Sequence, residues 1–183
     1  MVKNTRCSWS EADPALMLYH DTEWGRPEKN SGTLFEQLIL ELMQAGLSWR
    51  TVLKKRETMR AAFLGFDPSQ LAFMGPQQVD DWMRDSGVIR NRIKLEAVIQ
   101  NARVYLEVPD FSQLIWSFVD GKPLDNPWPS VDDVPVLDPI SERMAGELKK
   151  LGFKFIGPIT CYSFMQSAGL VNDHVSNCIT RCE

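Results

Sequence analysis

The sequence predicts an all-α fold, and three observations carry that expectation. Apolar residues recur every three or four positions along most of the chain, the spacing of helices with one buried face. Runs alternating every second residue, the mark of a half-buried strand, are nearly absent. Three Asp-Pro pairs, Asp13-Pro14, Asp67-Pro68 and Asp138-Pro139, each place a carboxylate at an N-cap and a proline at the first helical position.

The elements follow in order. Asp13-Pro14 opens a helix over 14–22. Leu34, Leu38, Leu42 and Ala45, with Phe35 and Ile39 beside them, set one over 32–46. Val52, Met59 and Phe63 space a third, 48–65. Asp67-Pro68-Ser69-Gln70 has the form of a capping box and starts a short helix, 68–74. Val79, Trp82 and Met83 mark 76–85, and Ile93, Ala97, Val98 and Val104 mark 92–107. A helix over 110–119 follows. Met144, Leu148 and Leu151 belong to 139–151, and a last helix covers 159–170. The stretch 120–137, rich in Pro, Asp and Gly, lacks this period and is expected as an irregular acidic surface loop joining two helical lobes.

A length of 183 residues suits one domain, 1–183, with a core large enough to fold without disulfides. The 44% apolar and 24% charged shares exclude disorder, collagen and coiled coil. The apolar runs are short and broken by charge, as at Glu41, so no membrane span is expected. Met1 to Cys7 lacks the pattern of a signal peptide. Four cysteines in a chain this long do not suggest a disulfide framework. The expectation is a cytoplasmic monomer.

The net charge of −4 argues, taken whole, against a nucleic-acid partner. Its distribution reverses that argument. Arg50, Lys54, Lys55, Arg56 and Arg60 face only Glu57 within 49–60, and Arg84, Arg90, Arg92, Lys94 and Arg103 dominate 84–103. The acidic residues gather in 120–147. Either basic run alone reads equally as a solvated helix face, but both adjoin the features below.

The first feature is a hairpin of helices over about 76–107, turning at Ser86-Gly87-Val88-Ile89-Arg90-Asn91. Gly87 is expected to take a left-handed conformation there. Backbone N–H groups at the second helix would face an anion, with Arg90, Arg92 and Lys94 beside it. This is the form of a helix–hairpin–helix grip on a DNA phosphate, although glycine turns between helices are common. The second feature pairs the two histidines, His20 and His174, with Cys7 and Cys178. His174 and Cys178 share one face of a helical turn. Two thiolates and two imidazoles suit a closed structural zinc site, clipping 7–20 to 174–178. Spacing alone leaves open two ordinary histidines with scattered core cysteines. Cys182 is a rival ligand, and Cys161 reads as a buried small residue. The third is an aromatic cluster, Trp9, Tyr19, Trp24 and Trp49, with Glu41. Gln37, Glu41, Gln44 and Ser48 share a helical stripe that either faces water or lines a pocket. Aromatic faces with hydrogen-bonding groups are what holds an extruded base.

Longer segments run through these features. They are Cys7-Ser8-Trp9, Tyr19-His20-Asp21-Thr22-Glu23-Trp24-Gly25, Gln44-Ala45-Gly46-Leu47-Ser48-Trp49, Gly152-Phe153-Lys154-Phe155-Ile156-Gly157, Tyr162-Ser163-Phe164-Met165-Gln166 and Gly169-Leu170-Val171-Asn172-Asp173-His174. Together they resemble the 3-methyladenine DNA glycosylase I family, constitutive bacterial repair enzymes. The resemblance spans Cys7 to Cys178. It implies a fold of the helix–hairpin–helix DNA glycosylase superfamily and one structural zinc on Cys7, His20, His174 and Cys178. It implies no organic cofactor, alkylated double-stranded DNA as substrate and free 3-methyladenine as product. It further implies Glu41 as the catalytic residue, a base pocket of Tyr19 and Trp49 with Trp9 and Trp24, and a Gly46-Leu47 bend at the gap left by the flipped base. The family usually carries a second tyrosine three residues before the Tyr-His pair, and here a pocket wall would instead be Leu16. That departure keeps open a shifted alkyl-base range, or a silent nucleobase-binding homologue.

Overall fold

A computed structural model describes residues 5–182, the Cys182 side chain excepted, so the part of Cys182 as a rival ligand lies outside the described residues. The helices are α1 (Pro14–Thr22), α2 (Ser31–Gln44), α3 (Trp49–Ala62), α4 (Pro68–Leu71), α5 (Pro76–Arg84), α6 (Arg92–Glu107), α7 (Phe111–Ser117), α8 (Pro139–Leu151) and α9 (Pro158–Ser167). All three Asp-Pro starts are real: Asp13, Asp67 and Asp138 accept from Ala15 N–H, Ser69 N–H and Ser141 N–H. Reciprocal capping boxes, however, form at Asp138–Ser141 and at Ser130–Asp133. At Asp67 the Gln70 amide bonds the carboxylate itself, because Gln70 Nε2 lies 2.7 Å from Asp67 Oδ2.

Helix α2 is the axis of the molecule. Leu34, Phe35, Leu38, Ile39, Leu42 and Met43 are fully buried, and α3, α6, α7 and α9 pack around it. A helix apolar nearly all round belongs in the centre, where every face is covered. Its last carbonyls are capped by a distant side chain. Lys94 Nζ donates to Met43 O at 2.9 Å and to Ala45 O at 2.5 Å. Gly46, at φ +79°, then reverses the chain into α3.

The loop after α7 is not a detached excursion. Leu124–Asp125 (β1) pairs in parallel with Val171–Asn172 (β2), in register Leu124↔Val171 and Asp125↔Asn172. Short 3-10 turns at Ser8–Ala12 and Val131–Asp133 complete the region. The two ends of the described chain meet: Thr5 N–H donates to Asn177 O and Ile179 N–H to Thr5 O. Among the described residues no helix is long and apolar enough to cross a membrane.

Candidate functional site

The start of the N-terminal 3-10 turn, α1 and the segment after β2 bring four ligand residues of two types together. Cys7 Sγ, His20 Nε2, His174 Nδ1 and Cys178 Sγ lie within 4.8 Å of one another, all from buried residues. Donor separations are 3.2 Å between the imidazole nitrogens, 3.4 Å from Cys178 Sγ to His20, and 3.5 and 3.8 Å from Cys178 and Cys7 Sγ to His174. A tetrahedral ion on nitrogen and sulfur has ligand–ligand edges of about 3.3–3.8 Å, so the four atoms can hold a metal ion. The second ring nitrogens fix the tautomers. His20 Nδ1 donates to Asp21 Oδ1 at 2.8 Å and His174 Nε2 to Trp24 O at 3.1 Å. Both inward nitrogens therefore keep a lone pair for the cluster. The thiols differ. Cys178 is held far below the usual thiol range, first by the Cys7 thiol and then by the two imidazoles.

The aromatic cluster stands against this centre. The Trp24 ring lies edge-on to His174 at 4.6 Å, and Trp9 lies 5.4 Å from His20 and 5.0 Å from Trp24. Tyr19 meets Trp49 at 5.1 Å. In front of these rings opens a cavity of about 400 Å³. Trp9, Tyr19, Trp24 and Trp49 line it with Glu41 and Gln44 from α2 and Ile159, Tyr162, Ser163 and Gln166 from α9. Glu41 and Gln44 of the expected stripe thus face a pocket, whereas Ser48 lies beyond the end of α2 and N-caps α3. Glu41 is 5% exposed. Burial raises its carboxyl to about 8, against a small lowering contribution from the Ser167 hydroxyl. Burial, then the neighbouring Glu41, raises the Tyr19 phenol well above its usual range. The Trp49 indole nitrogen is buried with no acceptor among the described residues.

Other expected positions fall differently. Leu16 is buried in α1 but lies outside the cavity lining, one turn earlier than Tyr19. Lys94 is not a phosphate ligand in waiting, because it is 3% exposed and its ammonium caps α2. Gly87 does not have the expected left-handed φ. A Cβ there would come 3.0 Å from Thr58 Cβ, so α3 passes close to the glycine and leaves little room for a side chain. Arg92 is paired with Asp80 at 2.6 Å, and Arg90 is exposed. Leu47 is 43% exposed beside the Lys94-anchored bend, and Ile93 in the first turn of α6 is 65% exposed. Much of the first basic run is internally neutralised. Arg56 pairs with Glu23 and Glu36, Arg60 with Glu36 and Arg50 with Asp13.

The profile of the methyladenine glycosylase family matches residues 9–181, nearly the whole chain. The chain belongs to that family. It is 50% identical over 178 residues to a DNA-3-methyladenine glycosylase of Haemophilus influenzae, covering 95% of this chain and 96% of that one. A crystal structure of 3-methyladenine DNA glycosylase I superposes with a TM-score of 0.94 at 49% identity, over 96% of this chain and 98% of the other. The Staphylococcus aureus 3-methyladenine DNA glycosylase I, solved for the structural basis of 3-methyladenine recognition, gives 0.93 at 38% identity over 97% of each chain.

Within this family member, sequence reasoning missed part of the cavity. Val131, Val134, Pro135 and Val136 of the acidic loop form its rim, and Asp173 lies in its lining. The valines were a usable signal, since three fall within six residues of an otherwise polar stretch. Asp173 is 2% exposed and accepts hydrogen bonds from Asn126, Trp128, Tyr162 and Gln166, each at 2.8 Å. Four donors from two separate segments leave no local pattern to read.

Proposed function

We propose that this chain is a DNA-3-methyladenine glycosylase: it flips the alkylated base out of duplex DNA and hydrolyses its N-glycosidic bond, releasing the free base and leaving an abasic site. The observation that carries the reading is the aromatic-walled cavity with buried Glu41, in a chain whose family relatives bear that enzyme's name. The N3-methylated nucleotide is cationic. Its C1′–N9 bond breaks with the electron pair going to the base, which leaves neutral, while water adds at C1′ and gives up a proton. Little acid catalysis is needed, so base flipping and preorganised electrostatics supply most of the acceleration.

Tyr19 and Trp49, with Trp9 and Trp24, receive the base, and each aromatic contact with the cationic ring is worth about 0.5–2 kcal/mol. Glu41 is the catalytic residue, accepting from the exocyclic amine or a ring N–H. The α5–α6 hairpin is a helix–hairpin–helix motif of the DNA glycosylase superfamily. Gly87, Arg90 and Arg92 hold the backbone, and Gly46-Leu47 stands at the gap. The Cys7, His20, His174 and Cys178 centre holds one structural zinc, the ion that its two sulfur and two nitrogen donors suit. It steadies the wall that carries Trp9 and Trp24. The chain works as one domain in the bacterial cytoplasm.

Titration of tryptophan fluorescence with free 3-methyladenine tests the pocket. Saturable quenching that Trp49→Ala weakens tenfold or more supports the reading. No response from the wild-type protein overturns it.

A further inference from the structure

The proposed function leaves the Asp173 network unused, although it forms part of the same cavity. Asp173 follows β2. Its Oδ1 accepts from Asn126 Nδ2 and Trp128 Nε1, and its Oδ2 from Tyr162 Oη and Gln166 Nε2. Tyr162 and Gln166 are one turn apart on α9, and both line the cavity.

A carboxylate can only accept, which settles the polarity of its partners. The Gln166 amide must turn its NH₂ toward Asp173, which spends one N–H there and leaves Oε1 and the second N–H. Tyr162 spends its only O–H on Asp173, so its oxygen has only lone pairs left. No donor among the described residues engages either oxygen. Both groups are ambivalent by nature; the carboxylate leaves Tyr162 with lone pairs alone and fixes the orientation of the Gln166 amide.

From this we infer that Asp173 is a positioning residue for base selectivity: it fixes the Tyr162 hydroxyl as an acceptor and sets which way the Gln166 amide faces on one wall of the cavity, which favours an adenine over a guanine alkylated at the same position. Adenine carries an amine donor at C6, where guanine carries a carbonyl acceptor. A donor meets lone pairs favourably, whereas a carbonyl facing them is left unpaired in a buried site. Sites built to pair one polar group reject its mismatch far more strongly than a missing methylene. The inference rests on the glycosylase reading and deepens it.

The test compares wild type, Asp173→Asn and Gln166→Met on duplex DNA carrying both 3-methyladenine and 3-methylguanine, with released bases resolved by chromatography. An asparagine at 173 offers its own NH₂ to this pair, so Gln166 must turn its NH₂ outward. The ratio of 3-methyladenine to 3-methylguanine released should fall tenfold or more. Gln166→Met removes one acceptor while Asp173 keeps three of its four donors, and should lower the ratio in the same direction if Asp173→Asn fails to fold. A purely structural role moves both rates together, so wild-type ratios in the folded variants overturn the inference alone. Release of neither base by the wild-type protein overturns the glycosylase reading, and this inference with it.

Discussion

Replacing Glu41 with glutamine should stabilise the protein most where the wild-type carboxyl is hardest to keep. Burial raises that carboxyl from 4.5 to about 8. Between those values the unfolded chain has lost the proton and the folded chain still holds it. The group's favourable contribution is therefore complete below pH 4.5, declines as pH rises, and is gone above about 8. Each pH unit in that window is worth ~1.4 kcal/mol, so the full interval amounts to roughly 4–5 kcal/mol. Water reaching the carboxylate through the open cavity would trim this toward ~2 kcal/mol. Glutamine keeps the shape and has no proton to lose. The assay is urea denaturation of both proteins at pH 5, 7 and 9, followed by tryptophan fluorescence. Both carry the same Cys-His centre, so its contribution cancels in the difference. The advantage of Glu41→Gln over wild type should be larger at pH 9 than at pH 5 by about 2–5 kcal/mol. A difference that stays flat across the three pH values would refute the reasoning.

Three further outcomes are expected. Asp21→Asn removes the charge behind His20 and its pairing with Arg6, so metal affinity measured by chelator competition should fall roughly 10–100-fold. Gly169→Ala places a Cβ 2.3 Å from the Arg26 carbonyl carbon at φ +69°. It should cost ~3 kcal/mol or more and lower Tm by roughly 6–12 °C in a calorimetric scan. Arg90→Ala should weaken DNA binding regardless of sequence and reduce the salt slope by about 0.9, whereas Arg92→Ala should move it less because Asp80 already neutralises that guanidinium.

The helical architecture was legible because its signals are local. Asp-Pro caps and apolar spacing depend on residues within a turn or two of one another, and they place α1, α5, α6 and α8 within a residue or two. The Cys-His cluster was legible as chemistry, since the only two histidines each have a cysteine nearby; only the fold shows that four atoms from both ends converge. Lys94 misled for the opposite reason. Beside Arg90 and Arg92 it reads as a phosphate ligand, but its partners are carbonyls at Met43 and Ala45, far back in the chain. The acidic loop misled in the same way, because its composition describes the solvent side while its valines turn to the cavity. Glu41 stood between the two cases. Its place in an apolar run was visible, but whether its stripe met water or a pocket depended on α9.

Release of bases from methylated duplex DNA by the wild-type protein tests the central claim most directly, with 3-methyladenine, 3-methylguanine and 7-methylguanine resolved. Preferential release of 3-methyladenine, leaving abasic sites in the duplex, is the predicted result. DNA that is bound but retains all three bases would contradict the assignment of a glycosylase.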